Sequence, residues 1–302
     1  SADAFKHANM AGTARHGGVL AVAGDDHVAK SSSVAHQSDH IFKACGLPVF
    51  FPSNVQEILD YGIHGIAMSR FTGCWVSLKL VTDVVESSST IDVDPGRFSG
   101  LWTGLKTIQE VVESSSIVSI APDRVHIRPP EDFDMPPGGL HIRWPDSPLE
   151  QEARLMDHKW YAALAYIRAN RLNHTVLDSH HAQLGLIASG KAYNDLRQAL
   201  HDLGLDDDAC RRIGLRVHKV AVVWPLEASI TREFATGLRE ILVIEEKRQM
   251  IEYQLKEELY NWRPDVRPNV LGKFDEGEEG SGGEWSQPNP SQNWLLRPQA
   301  DL

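Results

Sequence analysis

GVLAVAGDDHVAKSSSVAHQSDH, residues 18–40, sets an apolar run directly against a polar one. Residues 19–23 are uncharged, apolar and of strand length, so they read as a buried strand. Asp25, Asp26, His27, the serines Ser31, Ser32 and Ser33, and Gln37 follow at once. A polar loop after a buried strand is where α/β proteins place ligand-binding groups. Residues 35–45 have helical spacing. Residues 47–51 read as a second strand, stopped by Pro52. Ser53 suits an N-cap for a helix over 54–61, with Gln56 in the reciprocal capping position and Glu57 favourable to the helix dipole.

The second half alternates in the same way. Residues 184–189, 217–223 and 241–245 are apolar runs of strand length, and 192–203, 229–238 and 250–260 are helical between and after them. Strand–helix alternation implies parallel strands joined by right-handed crossovers. The expected fold class is therefore α/β with two parallel-sheet domains. Residues 125–149 hold six prolines, which block regular structure and predict an ordered wrap or linker. Residues 150–173 read as one long amphipathic helix. From 262 to 302 the chain turns polar and rich in Gly, Pro and Asn, which predicts an extended or disordered tail.

An internal duplication interrupts this plan. Residues 70–96 align without gaps to 97–123, and 13 of the 27 positions are identical, including RF, the Gly, the Trp and VVESSS. Two copies are too few for a solenoid. Each copy reads as a helix, a serine turn and a short strand; only one copy can fill a given slot in a packed sheet, so the other must add to an edge or bulge outward.

Composition removes several classes. At 302 residues and 42% hydrophobic, the chain can form two ordinary cores. No run of 18 apolar residues is present to span a membrane. The net charge of −11 argues against nucleic-acid and anionic-membrane partners. Cys45, Cys74 and Cys210 are far apart and form no CxxC, which fits reduced thiols in a cytoplasmic protein. The chain starts without Met or an apolar signal segment, which raises the expectation of a piece of something longer.

Other chemistry is weaker. GLIASGKA, residues 185–192, nearly spells a phosphate-binding loop, but Ala192 stands where Ser or Thr would hold magnesium, and the residues between the glycines are the strand itself. His27, His36 and His40 with Asp25 and Asp26 could be imagined as a metal site, yet no HExxH is present. No GxSxG elbow supports a serine hydrolase. The serines can offer hydroxyls and N–H groups to an anion or act as plain caps. Glu245-Glu246-Lys247-Arg248 follows a strand directly. It reads as a ligand or partner position, or as the more frequent solvated turn.

On these residues the chain resembles the large, fused subunit of the indolepyruvate:ferredoxin oxidoreductase family, among the thiamine-dependent 2-oxoacid:ferredoxin oxidoreductases. The matching stretches include HANMAGTARHGGVLAVAGDDHVAKSSSVAHQSDH, PSNVQEILDYGIHG, PEDFDMPPGGLHIRWPDSPLEQEARLMDHK and EILVIEEKRQMIEYQLKEELY. The resemblance implies that residues 1–128 are part of a thiamine pyrimidine-binding-type domain, 129–153 a connector and 154–261 a transketolase C-terminal-like domain. It implies oxidative decarboxylation of an aryl 2-oxoacid to an acyl-CoA, with ferredoxin as electron acceptor. Arg15, in Thr13-Ala14-Arg15, is the match for a substrate-carboxylate arginine. Asp25, Asp26, His27, Ser31, Ser32 and Gln37 match a polar loop beside the active site. The family's activating glutamate, its GDG…N motif for diphosphate and Mg2+ and its cluster cysteines are absent. Thiamine diphosphate and Mg2+ would be shared with other segments, and 4Fe-4S clusters would lie outside this chain. The implied partners are the remaining segments or subunits, ferredoxin and further copies in a homo-oligomer. The duplication is outside the family pattern. The alternative is a non-catalytic α/β docking module.

Overall fold

The structure, a computed structural model, describes residues 2–91, 115–121 and 123–273. Most of the second repeat copy and the segment 274–302 lie outside the described residues.

The first half runs α1 (Ala2–Ala11), β1 (Leu20–Asp25), α2 (Asp39–Ala44), β2 (Val49–Phe50), α3 (Val55–Thr72), β3 (Val76–Val81), α4 (Thr82–Val85), β4 (Ser88–Ile91) and β5 (Ser115–Val118). The second runs α5 (Pro148–Arg154), a π-helical turn (Leu155–Lys159), α6 (Trp160–Ala169), β6 (His174–Leu177), β7 (Leu184–Ser189), α7 (Gly190–Asp202), α8 (Asp207–Ile213), β8 (Leu215–Val220), β9 (Val222–Trp224), α9 (Ala228–Ala235), β10 (Glu240–Ile244), α10 (Ile251–Leu259) and β11 (Asn269–Leu271). Strand order is β1-β3-β2-β9 in one sheet and β11-β10-β7-β8-β6 in the other, with β4-β5 a separate pair. Every pairing is parallel except β2 with β9 and β6 with β8. The α/β class with parallel-dominated sheets stands.

Several boundaries differ from the sequence reading. The run 217–223 is two strands in two sheets. β8 stays in the second sheet, and β9 crosses to pair with β2 of the first. Asn173 holds the break open. Its side-chain oxygen accepts from the N–H groups of Ala221 and Val222, each at 2.9 Å, and its amide donates to the Val222 carbonyl at 3.1 Å. An apolar run carries no mark of such a break, because the partner side chain lies 48 residues upstream. The helix expected over 35–45 starts only at Asp39; before it the His36 N–H goes to the Asp26 carbonyl and the Ser38 N–H to the Asp25 carboxylate. β11 falls where an irregular tail was expected and pairs with β10. The long helix is broken by the π-helical turn and ends at Ala169.

The α3 cap also differs. Asn54, not Ser53, is the N-cap and accepts from the Glu57 N–H at 3.0 Å. Glu57, not Gln56, reaches back, accepting from the Ser53 N–H and hydroxyl at 2.8 Å each. Gln56 instead meets the backbone of Ser119. At the other end Gly73 is left-handed (φ 71°), and a Cβ there would stand 2.2 Å from the Leu140 carbonyl oxygen. Glycine is required twice, by conformation and by space.

One apolar cluster joins both halves. Phe42, Leu47, Phe51 and Val81 pack with Ile187, Val220, Val223, Phe234, Ile241 and Ile251. The two sheets therefore share a core. Among the described residues no helix is long and apolar enough to cross a membrane.

Gly73→Ala should destabilise the chain by at least about 2 kcal/mol, since it adds a left-handed alanine and a backbone clash. Urea unfolding checks this; a loss under about 0.5 kcal/mol would show that the α3 end relaxes freely.

Candidate functional site

The carboxyl ends of β1, β3, β7 and β10 supply the groups of this site. That is the edge where parallel sheets bind ligands.

Asp26 follows β1 directly and folds the loop around itself. Its carboxylate accepts from the backbone N–H groups of Lys30 (2.8 Å), Ser31 (2.6 Å) and Ser32 (2.9 Å), and from the Ser31 hydroxyl at 3.3 Å. Burial opposes its charge, but the Ser31, Lys30 and Ser32 N–H donors outweigh that and hold the carboxyl well below the usual range. The anion that the serine run attracts is thus the chain's own Asp26. Ser32 donates its hydroxyl to the Val34 carbonyl at 2.6 Å.

Asp25 accepts from the N–H (2.8 Å) and hydroxyl (3.0 Å) of Ser38. Lys79, on β3 and 1% exposed, lies 2.8 Å from Asp39 and 3.7 Å from Asp25, with its ammonium over the Phe51 ring at 4.5 Å. Burial works against the Asp39 charge, and Lys79 overcomes it, so the carboxyl is lowered.

His27 is 6% exposed. Its Nδ1 is 2.5 Å from a carboxylate oxygen of Glu246, at the end of β10. Burial and the Lys79 charge push the imidazole below its ordinary range, so it is neutral, with the Nδ1–H donating to Glu246. Its Nε2 is buried without a hydrogen-bond partner among the described residues and lies 4.0 Å from Asp25. Burial opposes the Glu246 charge too, but the His27 donor and Lys191, 3.6 Å away on α7, keep it ionised. Gln37 seals the same seam. Its amide donates to the Arg248 carbonyl at 2.8 Å and accepts from the Arg248 N–H at 3.0 Å.

Glu245 turns the other way. It accepts from the N–H groups of Met250 (2.9 Å), Ile251 (2.6 Å) and Glu252 (3.0 Å), capping α10 from within. Burial still raises its pKa to about 7. The acidic turn that reads as solvated is in fact buried at both glutamates.

Of the residues singled out in the sequence, Asp25, Asp26, His27, Ser31, Ser32 and Gln37 share one loop, docked on the second sheet. Arg15 does not join them. It is exposed before the amino end of β1, and the loop follows the carboxyl end, about 20 Å along a six-residue strand. Lys79 was not foreseen; Glu246 and Lys191 stand out in the sequence only separately, in the acidic turn and the near P-loop, and the structure brings them to this loop. Lysine inside the apolar strand VSLKLV was the available signal for Lys79, since a buried lysine needs a partner.

The groups implied by the resemblance do not fit these residues. Among the described residues no set of three or more His, Cys, Asp or Glu is placed to hold a metal ion. The three cysteines are buried, free and apart. The carboxylates that could meet a thiamine ring are saturated by their own loop and by Lys79. Gly190, in the near P-loop, opens α7 directly, and a Cβ there would sit 2.4 Å from the Phe51 ring.

An α/β architecture of two parallel-dominated sheets is also that of the 2-oxoglutarate:ferredoxin oxidoreductase from Magnetococcus marinus, solved with 2-oxoglutarate, coenzyme A and succinyl-CoA bound. That chain superposes with a TM-score of 0.51 at 14% identity, over 90% of this chain and 48% of that one. Residues 173–302 match the family model described as the indolepyruvate ferredoxin oxidoreductase middle domain. The indolepyruvate oxidoreductase subunit IorA of Methanothermobacter thermautotrophicus is 25% identical over 264 residues, 85% of this chain and 35% of that protein. IorA of Pyrococcus abyssi is 26% identical over 252 residues, 80% of this chain and 32% of that protein. The likeness to part of an indolepyruvate ferredoxin oxidoreductase subunit, read first from the sequence, is upheld by the family model and the relatives. The chain spans about a third of the length of the curated relatives it matches.

Lys79→Met should cost about 3–5 kcal/mol in urea unfolding, because Asp25 and Asp39 lose the cation that compensates their burial. A cost below 1 kcal/mol would show water reaching them. For His27 the depressed pKa means its contribution is complete above the unfolded value of 6.5 and falls away as pH drops below that. His27→Gln, which keeps a donor and does not titrate, should therefore lose less melting temperature than the wild type between pH 7.5 and 5.5. An identical loss would place the acid sensitivity elsewhere.

Proposed function

We propose that this chain is part of an oxidoreductase that oxidatively decarboxylates an aryl 2-oxoacid, indolepyruvate-like, to an acyl-CoA with ferredoxin as acceptor, and that it is inactive alone. The observation that carries the reading is the edge strand β1. Its apolar sequence suits both faces of a covered sheet, yet it pairs only with β3 among the described residues, and Val22 is 59% exposed. A parallel strand of this kind belongs inside a sheet with both faces covered. The rest of the sheet, the thiamine diphosphate with its Mg2+ and the iron–sulfur clusters would come from other segments or subunits. In this reading residues 1–128 are the pyrimidine-binding-type part, 154–261 the transketolase C-terminal-like part, and β9 is lent from the second to the first. The free buried thiols suit a reducing compartment such as the cytoplasm.

The loop Asp25–Gln37 would form one wall of the cleft. Arg15 would meet a substrate carboxylate through two parallel hydrogen bonds. The two lie at opposite ends of β1, so one small oxoacid does not touch both. A second reading, the docking module, draws support from the internal saturation of Asp25 and Asp26, which leaves no open cradle.

Purified chain with thiamine diphosphate, Mg2+, CoA and indolepyruvate should reduce neither ferredoxin nor a dye; sustained reduction would overturn the reading. In the assembled enzyme, Arg15→Ala should raise KM at least about tenfold if the substrate sits at the amino end of β1. An unchanged KM would put the substrate at the loop end.

A further inference from the structure

Three non-glycine residues among those described have a left-handed backbone: Ala29 (φ 57°), Arg171 (φ 47°) and Lys247 (φ 60°). Arg171 follows the end of α6, where such a residue is ordinary. The other two occupy the two segments that the His27–Glu246 and Gln37–Arg248 contacts tie together. Lys247 stands between the two tied residues of its turn. Ala29 stands between the two tied residues of its loop, His27 and Gln37. Each left-handed non-glycine residue opposes its own conformation by roughly a factor of five or more, and such strain persists only where surrounding contacts impose it.

The contacts that impose it are few. The loop interior is bound to itself through Asp26, so it keeps its shape as a unit. Among the described residues its ties to the second sheet include the buried His27–Glu246 bond and the exposed Gln37–Arg248 pair. An exposed pair, Lys30 to Glu86 at 2.7 Å, touches α4 and is of the kind that contributes little. Beneath the loop lie Asp25 and Lys79, charged and almost fully buried.

We infer that residues 26–38 and the turn 246–248 form a strained latch across the carboxyl ends of the two sheets. The His27–Glu246 bond holds both backbones in their left-handed turns. Breaking it lets residues 26–37 lift about Ser38, whose N–H and hydroxyl stay on Asp25, while the strands stay folded, and it uncovers Lys79. The latch stands whichever reaction the assembled enzyme performs.

Hydrogen–deuterium exchange on the full chain at pH 7.5 tests it, read over 26–38 and 246–250 with β7 and β8 as controls. Glu246→Gln, which keeps the shape and weakens the acceptor, should speed exchange in both segments about tenfold and leave β7 and β8 unchanged. Ala29→Gly and Lys247→Gly remove the strain without touching a contact, so each should slow exchange there by about threefold. Unchanged exchange in Glu246→Gln, or acceleration throughout the chain, would make the bond an ordinary core contact and overturn the latch. Glycine variants that exchange as fast as the wild type, or faster, would show that no strain is stored.

Discussion

The bond from His27 to Glu246 joins residues 219 positions apart in sequence, and the rest of the site depends on it. Both groups are nearly inaccessible, so neither can be left without the other. It fixes where β1 ends relative to β10. Through Asp25, Lys79 and Asp39 the same constraint reaches β3 and α2. A buried lysine between two carboxylates and a buried imidazole on a third make one arrangement of the two sheets far better than its neighbours. The shared apolar core sets how closely the sheets pack; the charged residues set the register in which they meet.

That constraint has a chemical consequence. The carboxyl edge of an open parallel sheet is ordinarily where ligands find unspent polar groups. Here the two sheets turn those edges toward one another, and each carboxylate is taken. Asp26 has its own loop's N–H groups, Asp25 has Ser38, Glu245 has α10 and Glu246 has His27. Reactivity toward a small molecule therefore needs either groups from outside the chain or a rearrangement of the loop. The first agrees with the half-covered strand β1, and the second with the left-handed backbones at Ala29 and Lys247.

Much of this was legible in the order of residues. The alternation of apolar runs with helical spacing gives β1, β2, β7, β8 and β10, and the loop after residue 23 is where the polar cluster lies, but β3, which joins β1 to β2, falls in a repeat read as helical. The run 217–223 misleads because its break is made by Asn173, a residue no local pattern connects to it. The serine run misleads because an N–H donor reads the same whether its acceptor is a ligand or Asp26. Glu246 misleads because acidic turns are usually wet, and only a partner 219 residues away buries this one. Ser53 and Gln56 were one position from the true cap, Asn54 with Glu57, a difference that depends on which residue first adopts helical dihedrals.

A double-mutant cycle on His27→Ala and Glu246→Ala, each of which removes the bond, followed by urea unfolding, tests the central claim most directly. The account predicts a coupling energy of about 1.5–3 kcal/mol, as for a buried hydrogen bond to a charged group. Losses that simply add, within about 0.5 kcal/mol, would contradict it.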